Sequence, residues 1–199
     1  KTVLDLEALA NHRGSTFGAL GLPPQPSQKD FEAGLWMSLK DLKANQVFME
    51  AESRRIGKLS IPTFLFKRMK VGRKILIESP FTLRLKRLLK DYTTGLDKDA
   101  VNTLITRSES IRQTMGNVGS ANLIELLEKD DLNEFVEVLL HKYYDPLYLK
   151  HLKKAGPFEL NLTNQDPAQT AEKIADYISS SSAVSSRPTL TDKLKIQQS

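Results

Sequence analysis

The chain has 199 residues, 40% of them apolar and 27% charged, which is the composition of an ordinary folded protein and the length of one substantial core. It contains no cysteine, so disulfides, thiolate catalysis and cysteine-ligated metals are excluded within this segment, and no run approaches the roughly 18 apolar residues of a membrane span. The net charge of +5 hides an asymmetry: between Arg54 and Tyr92 stand twelve Lys/Arg against Glu78 and Asp91, a net +10 that leaves −5 for the remainder. Lys and Arg contacts to phosphate supply most sequence-independent nucleic-acid affinity, so this block favours a polyanionic partner over a plain solvated basic surface. The N-terminus lacks a basic segment followed by a hydrophobic signal core, and a soluble, cytoplasmic protein with no membrane partner is the expectation.

In chain order, Val3-Leu4-Asp5-Leu6-Glu7 reads as a short buried strand, so close to the terminus that the chain is expected to be truncated. A Gly- and Pro-containing loop spans Asn11 to Pro26. Ser27 with Asp30 three residues on then opens a helix striped by Phe31, Leu35, Leu39 and Leu42. Gln46 to Ala51 and Lys74 to Glu78 read as further strands, and Ile61 to Lys70 and Phe81 to Tyr92 as helices, the second marked by Pro80. Continuous apolar runs alternating with helices indicate a parallel α/β sheet covered on both faces. Residues 96–156 show apolar spacing of helical period throughout and form an expected helical insertion. Gly156-Pro157 ends it, Phe158 to Leu162 returns to the sheet, and Asp166-Pro167 caps a helix through Ile178. The expected organisation is therefore an α/β core over 1–95, the insertion over 96–156, a return strand and helix over 157–178, and a disordered serine-rich tail over 179–199.

Ligands of parallel α/β sheets collect outside the carboxyl ends of the strands, so polar residues there are the first candidates. Period two places Asp5 with Glu7, and Glu50 with Glu52, on one side of their strands; such carboxylates can serve as acids and bases or hold hydrated Mg²⁺ beside a polyphosphate. The competing reading is that one member of each pair caps a loop or pairs with an arginine. His12-Arg13-Gly14-Ser15 combines an imidazole, a cation, a flexible glycine and a hydroxyl, a loop suited to an anion. Arg54 and Arg55 offer fork-shaped donors to phosphate, and Arg84, Arg87 and Lys90 share one helix face. Tyr143-Tyr144-Asp145-Pro146-Leu147-Tyr148 gathers three tyrosines at a helix junction, where packing is favoured over stacking on bases.

These blocks, Asp5-Leu6-Glu7, Ala10-Asn11-His12-Arg13-Gly14-Ser15-Thr16-Phe17-Gly18, Glu50 to Gly57 and Tyr143 to Tyr148, resemble the C-terminal domain of tRNA 2-selenouridine synthases over roughly residues 3–160. The resemblance implies a three-layer, phosphate-loop NTPase type sheet with its first strand and loop missing. It further implies a transferase acting on wobble 2-thiouridine of tRNA, with geranyl diphosphate and selenophosphate as co-substrates and a selenophosphate-supplying enzyme as partner. Under that reading Asp5, Glu7, His12 and Glu52 are candidate catalytic groups, while Arg13, Gly14, Ser15, Arg54, Arg55, Arg84 and Arg87 bind tRNA or the diphosphate. No dedicated metal site is expected, Mg²⁺ being a candidate ion only. The chain departs from the family in lacking the rhodanese-like cysteine and the glycine-rich phosphate loop, so this segment alone is expected to be inactive. A tRNA-docking module without chemistry, and a small-molecule kinase or nucleotide hydrolase of the same fold, are the alternatives.

Overall fold

The computed structural model describes residues 2–40, 46–93 and 97–184. Leu42, the end of the expected apolar stripe, and the tail over 185–199 lie outside the described residues. The architecture is α/β and mostly helical. Strand β1 (Thr2–Leu4) is followed at once by the short helix α1 (Leu6–Ala10), and α2 (Gln28–Lys40) leads towards β2 (Val47–Met49). β1 and β2 are parallel, with Leu4 opposite Met49. A hairpin of β3 (Arg55–Ile56) and β4 (Leu59–Ser60) turns through Gly57, whose φ of 57° suits glycine in a two-residue hairpin loop. Helix α3 (Thr63–Val71), β5 (Ile75–Glu78) and α4 (Phe81–Thr93) follow.

The next segment is helical, as its apolar period predicts: α5 (Lys98–Arg107), α6 (Glu109–Glu128, broken at Gly116), α7 (Leu132–Val138) and α8 (Asp145–Ala155). A π-helical turn, Leu139–Tyr144, joins α7 to α8 without leaving helical backbone angles at the junctions. Gly156, at φ 84°, ends α8. β6 (Leu160–Thr163) then pairs in parallel with β5, Ile75 opposite Leu160. The final helix α9 starts at Pro167, with Asp166 accepting from the Gln169 N–H, and runs to Val184 through serines expected to begin a disordered tail. None of the helices among the described residues is long and apolar enough to cross a membrane.

Two expectations require correction. The single parallel sheet is replaced, among the described residues, by three two-stranded sheets, β1-β2, β3-β4 and β5-β6. Strands of two to four residues each find one neighbour only, and Val3 stays 66% and Ile77 46% exposed, although parallel strands are as a rule covered on both faces. The strand expected over 3–7 stops at Leu4, because Leu6 and Ala10, four apart, are both fully buried on one helical face and Asp5 caps the turn.

Two apolar cores result. One gathers Leu4, Leu6, Ala10, Phe31, Leu35, Ile56, Leu59, Ile61 and Leu65 from the α/β half. The other is built from α5 to α8 with α4 packed against it, and it takes in Phe17, a residue of the loop after α1.

Candidate active site

The carboxyl ends of β1 and β2 deliver four acids to one place. Asp5 accepts from the Ala8 N–H at 2.7 Å, and Glu50 accepts from the Leu6 N–H at 3.0 Å, so both satisfy donors that the first turn of α1 would otherwise leave unpaired. Period two does not create the pairs, as a strand would have done. Instead the acids pair across the two strand ends: Asp5 hydrogen-bonds Glu50, and Glu7 hydrogen-bonds Glu52.

Burial, and then the Glu52 carboxylate beside it, push the Glu7 carboxyl up to about 7, with Glu50 and Asp5 adding to the repulsion. Burial also raises Glu50, against the lowering effect of the Leu6 N–H. Two like charges in hydrogen-bond contact cannot both ionise cheaply, so Glu7 keeps its proton up to near neutral pH. A pair poised in this way can donate or accept a proton at neutral pH. Among the described residues no group of three or more His, Cys, Asp or Glu side chains is placed to hold a metal ion.

Against this pair lies the 12–18 loop. Asn11, in the left-handed region at φ 47°, ends α1 and turns the chain. His12 is 7% exposed, and its Nδ1 accepts from the Gly14 N–H at 3.1 Å. Burial pushes its pKa below the ordinary value, so the ring is neutral. Gly14 has φ 67°, and a Cβ there would stand 2.5 Å from Glu52 Oε1, so a glycine lets the loop close onto the carboxylate. The Arg13 and Gly18 backbones close the loop at 2.9 Å, and the Arg13 guanidinium donates to the Leu20 carbonyl at 2.8 Å.

The far side of the loop is held by the helical half. Thr16 Oγ1 and Tyr143 Oη are 2.5 Å apart, Tyr143 also donates to Ser110 Oγ at 2.9 Å, and Tyr144 donates to Ser15 Oγ at 3.4 Å. A π-helical turn, wider than the α-helix by one residue, is what lets the adjacent Tyr143 and Tyr144 both be buried and both reach the loop.

The basic candidates divide. Arg54 and Arg55 are exposed; Arg54 donates to Thr63 Oγ1 at 3.2 Å and borders a polar groove with Gln28, Glu32, Ser60 and Thr63. Arg84 forms a two-pronged ion pair with Asp145 at 2.5 and 3.0 Å, whereas exposed Arg87 donates to Ser79 Oγ at 3.3 Å. Asp5, Glu7, His12, Gly14, Ser15 and Glu52 thus converge, Arg13 serves the loop's own backbone, and Arg84 sits on the helical side.

Sequence reasoning missed the β3-β4 hairpin and Gln25, which donates to the Ala10 and Ile56 carbonyls and accepts from the Lys58 N–H. The hairpin had a readable signal in Gly57 between two apolar-containing pairs. Gln25 had none.

The family model described as the tRNA 2-selenouridine synthase AAA domain matches residues 1–181. The tRNA 2-selenouridine synthase of Shewanella frigidimarina is 33% identical over 178 residues, covering 76% of this chain and 48% of its own length. That of Pseudomonas entomophila is 34% identical over 186 residues, covering 79% and 50%. That of Nitrosomonas eutropha is 34% identical over 168 residues, covering 82% and 40%. The chain therefore spans about half the length of the curated relatives it matches. No solved structure matches it. With the family model covering nearly all of the described residues, the chain belongs to the tRNA 2-selenouridine synthase AAA domain family.

Proposed function

We propose that this chain is the substrate-holding part of a cytoplasmic tRNA-modifying transferase that converts wobble 2-thiouridine to 2-selenouridine through a geranylated intermediate. The observation that supports this reading is the convergence of the Glu7–Glu52 pair and the 12–18 loop beyond the carboxyl ends of β1 and β2, where α/β proteins collect their ligands. Geranyl diphosphate, selenophosphate and tRNA are all anionic, in keeping with the basic block from Arg54 to Tyr92. A selenophosphate-supplying enzyme is the implied partner.

In this reading Arg54 and Arg55 hold phosphate oxygens, the Ser15 hydroxyl of the loop helps to seat the anion, and Glu7 beside Glu52 handles the proton. His12, buried and neutral, positions Gly14 through its Nδ1 and takes no proton. Displacement of the geranylated sulfur needs a reactive thiol that this cysteine-free chain does not supply, so that step belongs to the rest of the enzyme. The fold is read as phosphate-loop NTPase type with its first strand and loop outside this chain, in keeping with two parallel pairs that each leave apolar residues uncovered.

The test uses the full-length protein carrying Arg54→Ala with Arg55→Ala. Affinity for tRNA or geranyl diphosphate is expected to fall roughly tenfold or more, since charge-assisted hydrogen bonds are worth about 1.5–3 kcal/mol. Unchanged affinity and turnover would remove both arginines from the site. The docking-module alternative predicts salt-sensitive tRNA binding that is indifferent to Glu7→Gln and Glu52→Gln in turnover assays.

A further inference from the structure

Of the three clustered tyrosines, two are committed to the interior and one is not. Tyr143 and Tyr144 are buried with their hydroxyls on Thr16, Ser110 and Ser15. Tyr148, one turn farther along α8, is 58% exposed, as is its neighbour Leu149. Its ring is backed by Tyr144, with centroids 6.4 Å apart at 31°. Tyr144 in turn reaches Ser15, in the loop whose Gly14 closes onto the Glu52 carboxylate. The exposed Tyr148 is thus two contacts away from the carboxyl pair, through Tyr144 and the loop that closes on Glu52.

The mounting of this ring is rigid. Asp145, one turn before Tyr148, is clamped by both nitrogens of Arg84, and the Arg84 guanidinium itself lies 5.7 Å from the Phe81 ring centre. Helix α4, which packs on α7, exposes Lys86 and Arg87. An exposed aromatic ring near the Arg84 cation and the loop that closes on the carboxyl pair matches the needs of a single-stranded nucleic acid: a π-face for a base, positive charge for its phosphates and hydrogen-bonding groups for its edge.

We propose that Tyr148 is a stacking platform for an unpaired nucleobase of the bound RNA, presenting the edge of that base to Glu7 and Glu52. The inference rests on the reading of this chain as part of a tRNA-modifying enzyme and deepens it by assigning the base a place. Stacking on an aromatic face contributes independently of base identity, and it releases no counterions, so its signature differs from that of a phosphate contact.

The experiment measures, in the full-length protein, the affinity for a fluorescein-labelled anticodon stem-loop RNA at several salt concentrations. Tyr148→Leu is expected to weaken binding roughly tenfold at every salt concentration, leaving the slope of log affinity against log salt unchanged, while Tyr148→Phe and Tyr148→Trp stay within about twofold of the parent. Arg54→Ala with Arg55→Ala should instead flatten the slope. Because Tyr148 is exposed, the variants are expected to keep the parent's melting temperature, which is checked alongside. Unchanged affinity in Tyr148→Leu, or an equal loss in Tyr148→Phe, overturns the platform while the arginine result still supports RNA binding. If the parent protein fails to bind the RNA, both the platform and the functional reading fall.

Discussion

The α/β half and the helical half of this molecule are stabilised by different means. In the helical half, α5 to α8 bury a large apolar core, with side chains capping the helix starts at Asp97, Ser108 and Asp131. In the α/β half the strands have two to four residues and α1 has five, too short to stand on backbone bonding alone. There, side chains complete the backbone pairing: Asp5 and Glu50 at the start of α1, Gln25 between α1 and the hairpin, and Gln28 donating to and accepting from Ser60. The candidate catalytic groups belong to the half where polar side chains hold the structure, so function and stability are coupled in the same residues there. The helical half can be altered with fewer consequences for the site, except where it touches the 12–18 loop.

That exception gives the largest expected effect. Phe17 belongs to the loop of one half and the core of the other, at 1% exposure. Phe17→Ala should lower stability by about 3–5 kcal/mol in a denaturant titration, because a buried ring is lost and a cavity remains. It should also weaken anion binding. If a comparable core truncation at Leu123 impaired binding as much, the loop would not be the link between the halves.

Next in size is Gln25→Ala. It leaves two carbonyls and an N–H without their partner, a loss of roughly 1–3 kcal/mol by chemical denaturation. A helical counterpart, Lys129→Ala, breaks the exposed pair with Glu125 and should leave the denaturation midpoint unchanged. Similar losses for the two variants would erase the contrast drawn above.

The smallest effect is a pH dependence. Glu7 is raised from 4.5 to about 7 in the folded chain, so the folded state binds more protons than the unfolded chain between those values. Its contribution to stability is therefore fully present below about pH 4.5 and is lost as pH rises through 7. Glu7→Gln should remove that decline and leave the protein more stable than the parent at pH 8, by on the order of 1 kcal/mol after solvent screening. His12 acts in the opposite sense: with its pKa depressed, stability falls as pH drops below its ordinary 6.5. An unchanged profile in Glu7→Gln between pH 5 and 8 would mean that Glu7 does not hold its proton to neutral pH.

Local signals were legible in the sequence where a single short stretch determines the outcome. Ser27 and Asp30 form the expected helix start, Asp166-Pro167 opens α9, and Gly156 ends α8 with a positive φ. The segment Val3 to Glu7 was misread because alternation of apolar and acidic residues imitates a strand, while the i, i+4 pair Leu6 and Ala10 and the capping Asp5 determined a helix. Asp5, Glu7, Glu50 and Glu52 were correctly expected at one edge, but their cross-pairing depends on β1 and β2 lying in register, which no local pattern encodes. For the same reason nothing in the sequence joined Arg84 to Asp145, 61 positions away, or separated the outward Tyr148 from its two buried neighbours.

The contact between Thr16 and Tyr143 bridges 127 positions of chain. During synthesis the loop emerges long before the helix that pins it, and pairings so distant in sequence form late because their loop-closure entropy must first be overcome. The carboxyl pair and its loop should therefore be among the last parts of the molecule to assemble. A ligand that bridges them would act on folding as well as on catalysis, by trapping the closed arrangement once it forms.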